Sequence, residues 1–247
     1  MKKICIIGLG NMGKAMLDIL SKKGEFELIG CKKKDDVNIK AADAGILILA
    51  VKPQSFEELA RNVTVDLGGK LVISIMAGIG IEKIQKFLKV KRVVRALPNL
   101  ALKVGLSLTL WKSADEISNE EKSLVKKILA SFGQEVEVDS EEKISLIGVV
   151  SGCGPGFIAY FGEKMAEFLI KHGIDKVEAE KIARQTLIGT GEVVKENNWD
   201  LTDMRQKVSS KGGLTEAGVN AMEAGGMGEI FSNGAKAALN REKELSK

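Results

Sequence analysis

Short apolar runs recur along the first half of the chain, and stretches with helical spacing separate them. Lys2–Gly8 is apolar and rich in β-branched residues and predicts a strand. Asn11–Lys23 follows, with Met12, Ala15, Met16, Ile19 and Leu20 on one helical face. Phe26–Cys31, Gly45–Val51, Lys70–Met76 and Arg92–Ala96 predict four more strands. These runs are continuous rather than alternating, as expected of strands buried on both faces in a parallel sheet flanked by helices. Gly105–Trp111 and Gln134–Val138 predict two further strands around a helix near Asn119–Phe132, for which Ser118 and Glu121 form a capping box. After about residue 139 the pattern changes. Long amphipathic stretches replace the strands: Pro155–His172, then Lys176–Asn197 opened by Asp175 and Glu178, then shorter helices to Lys247. Strands with helices first and helices alone afterwards predict two domains, 1–150 and 151–247.

Composition narrows the function classes. The chain has 247 residues, of which 45% are hydrophobic and 28% charged, which is globular rather than disordered. A net charge of +4, one Tyr and two Trp, with no aromatic residues interleaved in a basic stripe, speak against nucleic acid as a partner. Three cysteines without a C-x-x-C pair make no disulfide framework, and a single histidine leaves no cluster for a metal. The apolar run after Met1-Lys2-Lys3 breaks at Gly8, Gly10 and Asn11, too early for a secretion signal. No stretch reads as the roughly 18 uncharged apolar residues of a membrane span. The expectation is a soluble cytoplasmic protein.

The unusual count is 27 Gly against 3 Pro, which implies many tight turns. Gly8-Leu9-Gly10-Asn11-Met12-Gly13 matches G-x-G-x-x-G, and its position between a buried strand and a helix gives the match weight. In a Rossmann-type site the first glycine makes the turn, the second lets the backbone approach a pyrophosphate, and the third packs helix on strand. NAD sites carry Asp or Glu at the end of the second strand, about 20 residues on. Here that region reads Gly30-Cys31-Lys32-Lys33-Lys34. Lys32 and Lys33 suit a ribose 2′-phosphate, and one charge-assisted bond of about 1.5–3 kcal/mol favours NADPH over NADH about tenfold or more. NADH stays open as the alternative.

From the third strand onward the chain resembles the pyrroline-5-carboxylate reductase family. Ala50-Val51-Lys52-Pro53-Gln54 is similar to the family's A-V-K-P-Q, Arg95-Ala96-Leu97-Pro98-Asn99 to R-x-M-P-N, and Ser151-Gly152-Cys153-Gly154-Pro155 to S-G-S-G-P. Ser210-Lys211-Gly212-Gly213-Leu214-Thr215 resembles S-P-G-G-x-T. The resemblance implies a Rossmann-type domain followed by an all-helical dimerisation domain. It implies reduction of 1-pyrroline-5-carboxylate to L-proline, the last step of proline biosynthesis. It carries Ala50, Val51, Lys52, Pro53, Pro98 and Asn99 over as cofactor contacts beside Gly8, Leu9, Gly10, Asn11 and Met12. Ser210, Gly212, Gly213 and Thr215 are carried over as the substrate-carboxylate loop, with the Thr215 hydroxyl reaching the ring nitrogen. A homodimer is implied, each site borrowing its partner's substrate loop, or a larger assembly such as a decamer.

The residues agree with such chemistry. A protonated imine is already electrophilic, so orientation against a hydride donor, worth about 7–11 kcal/mol, can replace an acid–base triad. Departures from the family pattern stand out: a shortened segment between the second strand and Gly45, Lys211 for the loop proline, Cys153 for a serine, Leu100-Ala101 for T-P, and Glu216 at a usually apolar position. Asn197-Asn198 stand where many members have a glutamate. Two other readings remain: a dinucleotide-binding regulatory protein without catalysis, and a small hydroxy-acid dehydrogenase using Lys164 as its base. His172 before Gly173 reads as a helix end, Cys153 as a small packing residue, and Arg241-Glu242-Lys243-Glu244 as a solvated helix terminus.

Overall fold

The structure is a computed structural model that describes residues 1–197 and 199–245. Seven strands form one sheet: β1 (Lys3–Ile7), β2 (Glu27–Cys31), β3 (Ile46–Leu49), β4 (Leu71–Ser74), β5 (Val93–Leu97), β6 (Ser107–Ser113) and β7 (Gly133–Glu137). Their order is β2-β1-β3-β4-β5-β6-β7. The five apolar runs give the parallel part, with Ile4 opposite Leu28 on one side and Ile46 on the other. β6 pairs antiparallel to β5, with Ala96 opposite Trp111, and β7 runs parallel to β6. The sequence pattern gave the existence of these two strands but not their reversal. It comes from the tight 3-10 turn Leu100–Val104, too short for the crossover that a parallel pairing needs.

The helices between the strands are α1 (Asn11–Lys23), α2 (Val37–Ala42), α3 (Phe56–Asn62), α4 (Ile81–Leu88) and α5 (Asn119–Ala130). Ser118 and Glu121 make the expected capping box at α5, each side chain accepting from the other's backbone N–H. The sheet and these helices enclose the main core: Ile4, Ile6, Leu47, Ile48, Ile73 and Phe56 have no solvent exposure. The shortened segment after β2 is the six-residue α2. It carries the chain straight to β3 on the far side of β1, so β2 is a sheet edge. Asn38 fastens this short crossover. Its Nδ2 donates to the Asn62 carbonyl (3.0 Å), and its Oδ1 accepts from the Thr64 and Val65 N–H groups (2.7 and 3.0 Å).

After β7 the described chain is helical: α6 (Glu141–Ser151), α7 (Gly154–Lys171), α8 (Lys176–Asn197), α9 (Leu201–Val208), α10 (Leu214–Ala224) and α11 (Met227–Leu245). Asp175 opens α8 by accepting from Val177 and Glu178 N–H, as expected. The chain divides into two compact units, Met1–Pro155 with the chain from Ala237 onward, and Gly156–Lys236. The first unit thus reclaims the end of α11, a return that the strand-then-helix pattern does not contain. In the second unit the fully enclosed core is small: Ala166, Ala179 and Ala183. One expectation is corrected. Glu141–Lys171 is long and apolar enough, by length and composition, to cross a membrane, with a mean hydropathy of 1.6 and 17% of that window buried.

Candidate active site

β1 lies between β2 and β3, so the connection leaving the C-terminal end of β1 runs to β2 on one side while that leaving β3 runs to β4 on the other. Such switch points are where α/β sheets bind ligands. Gly8 sits there with φ of 98°, and a Cβ on it would fall 2.8 Å from the Ala50 carbonyl and from Val51 Cγ1. A Cβ on Gly13 would collide with the Gly8 carbonyl oxygen. Gly10 differs, because nothing lies within 4 Å of its Cβ position. Two glycines hold the turn closed and the third faces open space, the room a pyrophosphate requires. Gly10 is the N-cap of α1 and offers no side chain, and the first turn holds no carboxylate. The leading N–H groups of the helix and its dipole are therefore left for an anion.

The other cofactor candidates stand on the same edge of the sheet. Gly8 N–H donates to the Cys31 carbonyl at the end of β2 (2.9 Å), and Ala50 N–H donates to the Ile7 carbonyl (2.8 Å). These bonds lace the ends of β1, β2 and β3 together. Lys32 and Lys33 follow β2 directly and are exposed. The nearest acids are already engaged: Asp35 Oδ2 accepts from Lys32 N–H (2.9 Å), and Asp36 caps α2 through Asn38 N–H (2.8 Å). Ala50 and Val51 are half-buried after β3, and Lys52 caps the 3-10 turn Pro53–Ser55.

Pro98 and Asn99 follow β5 directly, with Pro98 buried. The Asn99 side chain is occupied locally: Nδ2 donates to the Ser151 carbonyl (2.8 Å), and Oδ1 accepts from Ala101 N–H (2.9 Å). Its backbone N–H donates to Ser107 Oγ (3.0 Å). The P-N and S-G-C-G-P motifs, 52 residues apart, thus meet at one hydrogen bond.

Arg95 is the buried charge whose partners sequence reasoning missed. It is 5% exposed inside β5. Nη1 donates to Glu141 Oε1 (3.1 Å), while Nη2 donates to Glu242 Oε1 (2.6 Å) and to Ser145 Oγ (3.4 Å). Both Glu141 oxygens also accept from Ile81 N–H at the start of α4 (3.2 and 3.3 Å). The terminus read as solvated is corrected here, since Glu242 is 14% exposed and paired to a buried guanidinium. The signal was present: an arginine inside a buried-strand pattern must find carboxylates. Partners 46 and 147 residues away could not be named from spacing.

Ser210, Gly212, Gly213 and Thr215 lie together in the second unit, at the N-terminus of α10. Gly212 has φ of 71°, and Gly213 is the N-cap, where a side chain would strike Ser210 Oγ. Gly213 N–H donates to the Ser210 carbonyl (2.8 Å), and Gly212 N–H to Glu216 Oε2 (2.6 Å). Thr215 is exposed. Lys164 Nζ donates to Glu167 (2.6 Å) and lies over the Tyr160 ring. The Glu167 hydrogen bond raises its pKa, the opposite of what a catalytic base needs. His172 reads as expected, with Nδ1 at 2.8 Å from the Phe168 carbonyl. Cys153 is exposed rather than packed, a correction, and desolvation followed by the Glu242 charge pushes its thiol up, away from an activated nucleophile. Asn197 donates to the Val193 carbonyl (2.8 Å), while Asn198 lies outside the described residues.

The glycine turn at a switch point of a mostly parallel sheet, followed by a helical region, defines a Rossmann-type oxidoreductase with an all-α C-terminal domain. Relatives of known name narrow that class. The chain belongs to the pyrroline-5-carboxylate reductase family: it is 33% identical over 211 residues to pyrroline-5-carboxylate reductase of Synechocystis sp., covering 85% of this chain and 79% of that one. Residues 141–245 match the profile described as pyrroline-5-carboxylate reductase dimerisation, and residues 37–78 match one described as NADP oxidoreductase, coenzyme F420-dependent. A solved pyrroline-5-carboxylate reductase from Coxiella burnetii superposes with a TM-score of 0.84 at 29% identity, covering 99% of this chain and 98% of that one. A Plasmodium falciparum pyrroline carboxylate reductase solved with NADP bound shares the fold, with a TM-score of 0.88 at 24% identity and 100% and 98% coverage. The matched dimerisation region makes the protein a homo-oligomer.

Proposed function

We propose that the protein reduces 1-pyrroline-5-carboxylate to L-proline with NADPH, and that NADH is the poorer donor. The observation that carries this reading is the 33% identity to a named reductase across most of both chains. When bound, the dihydronicotinamide supplies a hydride to the imine carbon, and solvent supplies the proton on nitrogen. Gly8, Leu9, Gly10, Asn11 and Met12 would hold the pyrophosphate, Lys32 and Lys33 the 2′-phosphate, and Ala50, Val51, Lys52, Pro53 and Pro98 the nicotinamide side. The open space at Gly10 and the engagement of Asp35 and Asp36 elsewhere support this placement. Ser210, Gly212, Gly213 and Thr215 would orient the substrate carboxylate, with the Thr215 hydroxyl at the ring nitrogen. On this reading 1–150 is the cofactor domain and 151–247 the substrate and dimerisation domain.

The apolar faces of the helical region support a protein partner rather than lipid, a cytoplasmic location, and a dimer able to form larger assemblies such as a decamer. Nucleic acid has no place in this reading. The test is NADPH oxidation with pyrroline-5-carboxylate, run in parallel with NADH. Turnover with a lower KM for NADPH is expected. Absence of turnover at millimolar imine overturns the function, and equal KM values overturn the cofactor preference.

A further inference from the structure

The loop assigned above to the substrate carboxylate already carries a carboxylate of its own. Glu216 is the third residue of α10, and its Oε2 accepts from Gly212 N–H at 2.6 Å. The Gly213 N–H is spent on the Ser210 carbonyl (2.8 Å). In the first turn of α10 the N–H groups of Leu214, Thr215 and Glu216 are left without an acceptor among the described residues, and the first bond back to the cap is Ala217 N–H to the Gly213 carbonyl. The helix cap Gly213 has no side chain to take one. The positive end of α10 is thus answered in part by the chain's own anion. Lys211, also in the loop, is exposed and has no carboxylate partner among the described residues.

We propose that Glu216 is a specificity-determining residue that competes with the substrate carboxylate for the Ser210–Thr215 loop and so penalises anionic cyclic imines relative to uncharged ones. The inference rests on the proposed function, which places a substrate carboxylate at this loop. To seat that group, the Gly212 N–H must be released by Glu216, and two negative charges must otherwise share one helix terminus. A Glu reaching back at a helix start also supports the helix. Charge and support are separable, because glutamine keeps the accepting oxygen and loses the charge.

KM and kcat are measured at saturating NADPH for the full chain, Glu216→Gln and Glu216→Ala, with 1-pyrroline-5-carboxylate and with 1-pyrroline, which lacks the carboxylate. In both variants KM for the anionic imine falls about two- to fivefold, the size of an exposed charge effect at a helix end. KM for 1-pyrroline moves by less, so the ratio between the imines changes. A parallel shift on both imines, or none, overturns the inference. If the unaltered chain turns over neither imine, the proposed function fails, and Glu216 is then tested by calorimetric titration with L-proline in the presence of NADP. Tighter binding by Glu216→Gln supports the competition. Equal affinity, or no binding by either chain, overturns it.

Discussion

The two units solve the problem of burying apolar surface in different ways. The first closes its core within itself, with Ile4, Ile6, Leu47 and Ile73 sealed between helices on both sheet faces. The second encloses three alanines and leaves Ile158, Phe168, Ile188, Leu214, Ile230 and Phe231 facing out, Ile230 at 65% exposure. At about 25 cal/mol per Å², side chains of that size are worth about 1.5–3 kcal/mol each when covered. A sheet sandwiched by its own crossovers is a finished object. A helical layer with apolar faces on its outside is half of one, and the matched dimerisation profile over residues 141–245 says what completes it.

Charging the open face tests that contrast most sharply. Phe231→Asp is expected to convert the oligomer to monomer by light scattering. It should also lower the thermal midpoint of the helical unit by 10 °C or more, on the order expected when several kcal/mol of interface are lost. NADPH binding to the first unit should persist. An intact oligomer would show that the face is not the interface.

The opposite experiment strikes the closed unit. Glu242→Ala leaves the buried Arg95 with Glu141 as its one carboxylate and should cost about 2–3 kcal/mol in denaturant unfolding, somewhat less than removing a sole partner. Little change in the oligomer is expected. A smaller effect belongs to Asn99→Ala, which loses the bonds to Ser151 and Ala101 and should cost about 1–2 kcal/mol by the same assay. Stability unchanged in that variant would return Asn99 to a purely ligand-facing role. Finally, Lys32→Ala with Lys33→Ala should narrow the NADPH-to-NADH preference about tenfold, or about 1.4 kcal/mol, in the ratio of kcat/KM. An unaltered ratio would make the lysines a solvated turn.

The same contrast governs what could be read before the structure. All seven strands are legible in the local pattern; in central strands burial on both faces writes itself as unbroken apolar runs such as Ile46-Leu47-Ile48-Leu49, whereas β7, Gly133-Gln134-Glu135-Val136-Glu137, carries no such run. The glycine turn was legible because each glycine answers a local steric demand. Three short helices, α2, α3 and α4, leave only a brief periodic mark, since six to eight residues barely complete two turns of a pattern. α6 has no boundary in the pattern that sets it apart from the helical region it opens. What was illegible was long-range: the Asn99–Ser151 bond, the Arg95 carboxylates and the return of α11 each depend on which distant segments meet. The Glu216 departure was visible as a misplaced charge, whereas its bond to Gly212 required the φ of the turn.

Glu242 has a consequence in time as well as in space. It lies 147 residues after Arg95, nearly at the end of the described chain. At about 5–20 residues per second of synthesis, a guanidinium fixed in the central sheet waits about 7–30 s for its second carboxylate. The sheet of the first unit is thus synthesised before the helical unit, and the α11 segment that belongs to it comes after. A chain cut short before Glu242 would leave the buried Arg95 guanidinium with one of its two carboxylates, and is expected to be the less stable for it.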